Sequence, residues 1–198
     1  MTVMKNIVFD IGGVIIARDS KWCSDELMSF WKIIHSSDVP QFWNDFDRGT
    51  INWQQTVSGI AKFLNLTYDE CNNMLREAIH RSKPVEPTCQ LITDLKAAGY
   101  KLYLLSNMSF YFFDEIRKNS VFSNFSGEVI SYKYHTVKPE REIYEILLKE
   151  YSLDPADTFF IDDKIPNIEA AAELGIDGFV FDRQKPEDSC IELRKRLL

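Results

Sequence analysis

Short apolar runs that end in polar residues recur along the chain, and they predict buried β-strands. The first run covers residues 7–9 and ends at Asp10, with Gly12 and Gly13 just beyond it. Further strands are predicted at 101–105, 128–132, 158–161 and 178–181, and polar residues follow three of them: Ser106 and Asn107, Asp162 and Asp163, and Asp182. Bounded apolar runs of this length fit strands that are buried on both faces of a sheet.

Apolar positions spaced three and four apart alternate with these strands and predict helices. We expect helices over about 87–98, 110–118, 140–151 and 167–174, and a last one from about residue 186. Strands that alternate with helices imply a parallel sheet covered by helices on both faces. The predicted fold class is therefore α/β, with a Rossmann-like core.

Residues 18–83 have a different pattern, which predicts a helical insert directly after the first strand. Leu27, Phe30 and Ile34 have helical spacing, and strand-like runs are missing from this part of the chain. The insert also holds all four tryptophans: Trp22, Trp31, Trp43 and Trp53. They are expected to form its core, or one or two of them to line a ligand pocket. The predicted core comprises residues 1–17 and 84–198.

Composition excludes several classes of function. A net charge of −7 and the lack of any lysine- and arginine-rich run give no reason to expect a nucleic-acid surface. No apolar run is long enough for a membrane span, and no leader is evident at the N-terminus. The four cysteines are far apart, without zinc or redox spacing, so reduced thiols in a cytoplasmic protein are expected. Oligomeric state does not follow from the sequence.

The polar residues at the strand ends predict one shared site. In open parallel sheets, ligands bind beyond the carboxyl ends of the strands, where the strand order reverses. Asp10, the Ser106–Asn107 pair and the Asp162–Asp163 pair would meet there, and Lys138 lies in a polar loop just before a helix. The insert leaves the sheet next to this crevice, so it should cover it.

These side chains suit phosphoryl transfer. Three neighbouring carboxylates repel one another unless a cation compensates them, and Mg²⁺ binds one or two carboxylates together with substrate phosphate. Ser106, Asn107 and Lys138 supply donors for a phosphate. This combination fits transfer through an aspartyl phosphate. Serine-hydrolase, zinc-protease, dinucleotide-binding and Walker A motifs are absent, and the three histidines, His35, His80 and His135, are not clustered.

Four motifs in order resemble those of the haloacid dehalogenase superfamily. They are FDIGGV at 9–14, LLSN at 104–107, KP at 138–139 and FFIDDKIPN at 159–167. The helical insert fits the C1 cap position of that family. The chain is most similar to a subgroup with D-x-G-N-V in the first motif, which includes proteins resembling sugar-1-phosphate phosphatases.

The resemblance implies a role for each residue. Asp10 would be the nucleophile and a metal ligand, while Ser106 and Lys138 would hold the phosphoryl group, and Asn107 would contact phosphate or orient the substrate. Mg²⁺ would be the cofactor. Its other ligands would be Asp163 and the main-chain carbonyl of Gly12. Asp162 would be a further metal ligand or would support Asp163 from behind, and Asn167 would be a supporting residue.

One position departs from the usual family pattern. Phosphatases of this superfamily have an acid/base aspartate where this chain has Gly12, and such a group is worth about 10²–10⁴-fold in rate. Three alternatives follow. The substrate has a good leaving group, such as an anomeric or acyl phosphate, or another residue (Asp19 or a cap residue) supplies the proton. In the third, the protein binds its ligand and turns it over poorly.

The leading hypothesis is a Mg²⁺-dependent phosphatase of a small phosphorylated metabolite such as a sugar phosphate. The alternative is a phosphometabolite-binding protein with little or no turnover, which rests on Gly12 alone. A third hypothesis is 2-haloacid dehalogenation. The Asp162–Asp163 pair argues against it, because dehalogenases of this superfamily lack the metal-binding pair.

Overall fold

A five-stranded parallel β-sheet forms the centre of the protein. The computed structural model describes residues 5–18, 23–34 and 39–198. The strands of the sheet are β1 (Asn6–Phe9), β4 (Lys101–Ser106), β5 (Gly127–Ile130), β6 (Thr158–Asp162) and β7 (Asp177–Val180), while β2 (Ile16–Arg18) and β3 (Ser82–Pro84) pair separately. The order in the sheet is β5-β4-β1-β6-β7, which confirms the predicted α/β class.

The strand order reverses at β1, and this brings three strand ends together. From β1 the chain proceeds to β4 and β5 on one side and then returns to β6 and β7 on the other. Phe9 at the end of β1 lies opposite Leu104 in β4 and Ile161 in β6. The polar residues that follow these positions therefore share one edge of the sheet, as predicted.

Helices cover both faces of the sheet because alternate strand residues point to opposite sides. They are α5 (Glu86–Ala97), α6 (Phe110–Ile116), α7 (Ser131–Tyr134), α8 (Arg141–Tyr151), α9 (Ile165–Ala172) and α10 (Pro186–Leu197), with 3₁₀ turns at Ser120–Asn124 and Pro155–Asp157. Ile7 and Phe9 join one buried cluster with residues of α5 and α10, whereas Val8 joins another with residues of α8 and α9. In the described ranges, no helix has both the length and the apolar character needed to cross a bilayer.

The insert folds as four helices around its own hydrophobic cluster. These are α1 (Asp25–Ile34), α2 (Gln41–Asp47), α3 (Trp53–Leu64) and α4 (Tyr68–His80). Capping boxes at Asn52 and Thr67 begin α3 and α4, because each side chain accepts a hydrogen bond from the first turn. We refer to α1–α4 as the cap. Asp19, Trp22 and His35 lie outside the described residues.

Two strand predictions need correction. The expectation that the insert contains no strand is wrong at its end, because Ser82–Pro84 pairs antiparallel with Ile16–Arg18. The predicted strand at 128–132 ends at Ile130, and the chain then turns directly into α7. The ribbon of β2 and β3 lies at both junctions of the insert, next to the predicted boundaries at 17/18 and 83/84, which stay a prediction.

Polar and aromatic contacts join the cap to the core. The Arg48 guanidinium forms an ion pair with Glu140 and donates to the carbonyl of His135 at 3.2 Å, while Ser131 Oγ donates to the carbonyl of Asp47 at 2.5 Å. Phe112 of α6 packs within the hydrophobic cluster of the cap. The cap therefore lies against the sheet edge at which the polar residues meet.

Candidate active site

Asp10 lies at the centre of the polar edge of the sheet. It directly follows β1, its backbone N–H donates to Ile161 at 2.8 Å, and the residue is only 7% exposed. A buried carboxylate needs a charged or polar partner. Lys138 provides it, since its Nζ lies 2.8 Å from Asp10 Oδ1.

Lys138 is a buried cation shared by two carboxylates. Its Nζ also donates to Asp162 Oδ2 at 2.6 Å and to the carbonyl of Leu105 at 2.9 Å. Burial alone would lower the pKa of Lys138, but Asp10 and Asp162 outweigh that effect and raise it above its usual value. The ammonium therefore remains charged at neutral pH and acts as a fixed positive charge.

Asn107 holds the loop that carries Lys138. Its side-chain Nδ2 donates to the carbonyl of Lys138 at 2.8 Å, and its Oδ1 accepts from the Lys138 N–H at 2.7 Å. The paired bonds connect the end of β4 to a loop 31 residues further along the chain. Asn107 thus positions Lys138, and it also lines the cavity above the sheet edge.

The two aspartates after β6 have different surroundings. Asp162 is fully buried, and its oxygens accept bonds from Lys138 Nζ, the Lys164 N–H at 2.8 Å and Asn167 Nδ2 at 2.9 and 3.0 Å. Tyr144 in turn donates its hydroxyl to the carbonyl of Asn167 at 2.9 Å. Through these hydrogen bonds, Asp162 fixes the positions of Lys138, Lys164 and Asn167.

Asp163 faces the cavity and has few compensating contacts. Burial, followed by the charges of Asp10 and Asp162, raises the pKa of Asp163 to about 7. The guanidinium of Arg183 lies 3.6 Å from its Oδ2. Sequence reasoning missed Arg183, because nothing in the sequence distinguishes it from other exposed arginines.

Gly13 allows the close approach of Asp163. Its φ of +84° lies in the left-handed region, and a Cβ at this position would lie 2.8 Å from Asp163 Oδ2. Gly12 is different, because a Cβ at this position would meet no atom of the described residues within 4 Å. A close approach of the backbone to Asp163 is therefore present at Gly13, while Gly12 borders open space in the cavity.

The residues present fit a divalent cation. Oxygen atoms of Asp10, Asp162 and Asp163 lie within 4.8 Å of one another, and Lys138 compensates only part of their charge. Mg²⁺ prefers oxygen ligands of this kind. Because Asp162 already accepts four hydrogen bonds, Asp10 and Asp163 are the carboxylates best able to bind a metal, and Gly12 lines the same cavity.

Ser106 provides an unused donor. The residue is 1% exposed, and its hydroxyl has no hydrogen-bond partner among the described residues. A buried hydroxyl without a partner is rare in folded proteins, and a ligand in the adjoining cavity would satisfy it. Ser106 lines the cavity together with Asp10 and Lys138, where it can donate to an anionic oxygen.

The cap closes the cavity from above. Trp31 and Trp43 line it, and they also belong to the hydrophobic cluster of the cap, so both readings of the tryptophans hold for these two. Trp53 lies away from the cavity, with its indole N–H donating to Asn72. Asn44, Asp47 and Lys164 are further polar residues of the lining that the sequence did not single out.

Relatives with known activities match nearly the whole chain. The model of the haloacid dehalogenase-like hydrolases matches residues 4–175. A sesquiterpene phosphatase from Aspergillus oryzae is 27% identical over 196 residues, which cover 98% of this chain and 97% of the relative. A D-ribitol-5-phosphate phosphatase from Bacteroides thetaiotaomicron is 29% identical over 202 residues, which cover 89% of this chain and 91% of the relative.

The fold also matches solved structures. A haloacid dehalogenase family enzyme from Bacteroides thetaiotaomicron, determined in complex with magnesium and inorganic phosphate, is 26% identical to this chain with a TM-score of 0.69. The match covers 91% of this chain and 95% of that one.

Proposed function

The chain belongs to the haloacid dehalogenase-like hydrolases, and we propose that it is a Mg²⁺-dependent phosphatase that acts on a small phosphorylated metabolite through an aspartyl phosphate on Asp10. One observation carries the proposal. The Asp10 carboxylate is bound to the buried Lys138 at 2.8 Å, beside the hydroxyl of Ser106, which has no partner among the described residues. A nucleophile, a fixed positive charge and a free donor therefore border one cavity.

The residues divide the reaction into two displacements. A carboxylate oxygen of Asp10 attacks phosphorus, the ester P–O bond breaks, and the alcohol leaves with a proton. Water then attacks the phosphorus of the aspartyl phosphate, which releases inorganic phosphate and restores Asp10. Lys138 and Ser106 bind the non-bridging oxygens in both steps, and the cap limits the entry of bulk water.

Asp10, Asp163 and the carbonyl of Gly12 would hold Mg²⁺, with Asp162 and Asn167 fixing the loop beside them. When bound, the cation supplies positive charge that lets an anionic carboxylate approach an anionic phosphate. The similar enzyme that was solved with magnesium and inorganic phosphate supports Mg²⁺ as the cation.

Mg²⁺ should stabilise the protein more at high pH than at low pH. Without metal, the folded protein keeps a proton on Asp163 up to about pH 7, whereas the unfolded chain loses it near the ordinary value of 3.8. The folded state then binds more protons, so its stability falls as the pH rises from about 4 to about 7. Saturating Mg²⁺ should raise the melting temperature by about 5–10 °C near pH 8 and hardly at all near pH 5.

Thermal unfolding with Mg²⁺ and with a chelator, at several pH values, measures this difference. The Asp163→Asn variant is the control, and it should lose both the metal effect and the pH dependence. An equal metal effect at both ends of the pH range would contradict the assignment of Asp163.

The Gly12→Asp variant should fold normally and speed the hydrolysis of alkyl phosphates by up to about 10²-fold. The new side chain would extend into the cavity, since no atom of residues 5–18, 23–34 or 39–198 lies within 4 Å of a Cβ at this position. It could protonate a poor leaving group, whereas p-nitrophenyl phosphate needs no such help and should change little. Initial rates of phosphate release from both esters measure the effect.

Gly12→Asn, which adds the same bulk without an acid, is the matched control. If the wild-type protein binds phosphate esters without turnover while Gly12→Asp hydrolyses them, the chain is instead a phosphometabolite-binding protein.

Another residue would have to donate the proton that an aspartate at position 12 supplies in related phosphatases. Asp47 of the cap lines the cavity, and we propose that it protonates the leaving group.

The alternative activity, 2-haloacid dehalogenation, would require that the protein releases halide from a 2-haloacid without Mg²⁺.

The names of the relatives point to two kinds of substrate. One relative is named a sesquiterpene phosphatase, and a sesquiterpenyl group is apolar, whereas the other is named for D-ribitol 5-phosphate, a polyol ester close to the sugar phosphates expected from the sequence. Their common chemistry is the phosphate ester. We place the activity in the cytoplasm, and the four cysteines support this, because none of them forms a disulfide in the part of the chain that the structure describes.

A further inference from the structure

The wall of the active-site cavity differs sharply from its floor. The floor carries Asp10, Ser106, Lys138 and Asp163, which are charged or hydroxyl-bearing. The wall opposite them is carbon-rich, and it consists of Trp31, Ile34, Val39 and Trp43 from the cap with Met108 and Phe112 from the core.

The aromatic side chains of this apolar wall pack against one another. The rings of Trp31 and Trp43 lie 5.3 Å apart in an edge-to-face arrangement, and Phe112 lies 6.2 Å from Trp43. Trp31, Trp43 and Phe112 are nearly buried and belong to one hydrophobic cluster. Edge-to-face contacts between aromatic rings are favourable, so these side chains support one another beside whatever is attached to the phosphate.

Polar groups on the cap side are few. Among the described residues of the cap, only Asn44 and Asp47 add polar side chains to the lining, and both belong to α2. A polyol offers a hydroxyl on nearly every carbon, and each buried hydroxyl needs a partner.

On the core side, Asn107, Lys164 and Asn167 also line the cavity, but the side chains of Asn107 and Asn167 already bond to Lys138 and Asp162. The described lining therefore offers few partners for the hydroxyls of a polyol, whereas an alkyl chain needs none and gains from leaving water.

We propose that the substrate is the monophosphate of an apolar aliphatic alcohol, whose chain packs against Trp31, Ile34, Val39 and Trp43 while its phosphate binds Ser106 and Lys138. The inference rests on the proposed phosphatase activity. The reaction breaks the ester P–O bond, transfers the phosphoryl group through Asp10 to water, and releases the alcohol and inorganic phosphate. The apolar wall would then select the alcohol.

A series of straight-chain alkyl monophosphates from ethyl to decyl tests the proposal. Phosphate release is measured with Mg²⁺ below the micelle-forming concentrations, beside p-nitrophenyl phosphate and a pentitol phosphate. We expect kcat/KM to rise about fourfold for each methylene that the wall buries and then to level off. The pentitol phosphate should be slower than the pentyl ester.

Two outcomes are distinguishable failures. If every alkyl ester and the pentitol phosphate are hydrolysed equally well, or the pentitol phosphate faster, the apolar substrate class is wrong while the phosphatase activity stands. If no ester releases phosphate and the protein is folded, the proposed function fails and the substrate class fails with it.

A substitution in the apolar wall tests whether the wall causes the rise of kcat/KM with chain length. Val39 is only partly buried and lines the cavity, so Val39→Asn should reduce the gain per methylene. Leu66→Asn is the matched control, because Leu66 packs against the same hydrophobic cluster but does not line the cavity. It should leave the gain unchanged. A gain that is unaffected by Val39→Asn would overturn the placement of the chain on this wall.

Discussion

Replacing Asp10 with asparagine should abolish phosphate release from every ester that the wild-type protein hydrolyses, with kcat falling by at least about 10⁴-fold. The amide is a poor nucleophile and cannot form the aspartyl phosphate on which both displacements depend. It also removes one carboxylate from the group that would bind Mg²⁺. Single-turnover assays with protein in excess over substrate would detect even a slow residual reaction.

The Asp10→Asn variant should remain folded. Lys138 keeps its contacts with Asp162 at 2.6 Å and with the Leu105 carbonyl at 2.9 Å, so no buried charge loses its last partner. Removing one of the charges that raise the pKa of Asp163 also relieves repulsion within the group.

Asp182→Asn is a control that changes the same residue type at a comparable position. Asp182 follows the neighbouring strand β7, is exposed and does not line the cavity. Its replacement should leave activity unchanged. Turnover by Asp10→Asn at a rate close to that of the wild-type protein would show that another group is the nucleophile.

The strand ends were predictable because one physical rule governs them. Short apolar runs that end in carboxylates or small polar residues identified Asp10, Ser106 and Asp162, and parallel strands bring such ends to one edge. The sheet order then places β4 and β6 beside β1. Lys138 was different, since it follows no strand, and it was assigned to the site as a phosphate donor in a polar loop and not by the strand-end rule.

Features that depend on distant pairs could not be predicted in this way. Ser82–Pro84 contains no apolar run and ends in proline, yet it forms a strand because Ile16–Arg18 supplies its partner. The bonds from Asn107 to the backbone of Lys138 likewise depend on the folded loop. Phe112 joins the cap cluster from outside the insert, which no local pattern in the helix reveals.

Lys138→Met should lower the free energy of unfolding by about 3–5 kcal/mol and remove the phosphatase activity. Lys138 is 4% exposed, and its ammonium contacts both Asp10 and Asp162. Methionine has similar bulk without charge, so the variant leaves two buried carboxylates without their cation. Urea unfolding measures the loss of stability, and a phosphate-release assay under native conditions measures the loss of activity.

The loss of stability should itself depend on pH, which separates a charge effect from a packing effect. Burial already raises the pKa of Asp162, and removing Lys138, which lowers it, would raise it further. The folded variant would then hold more protons than the unfolded chain above the ordinary aspartate range, so the loss of stability grows as the pH rises and shrinks as it falls.

A second substitution, Asp162→Asn, in the Lys138→Met variant should recover part of the stability but no activity. Lys5→Met, which removes an exposed lysine bound to Asp157 at 2.7 Å, should have little effect at any pH. A pH-independent defect in Lys138→Met would mean that packing, and not the buried charge, explains its loss of stability.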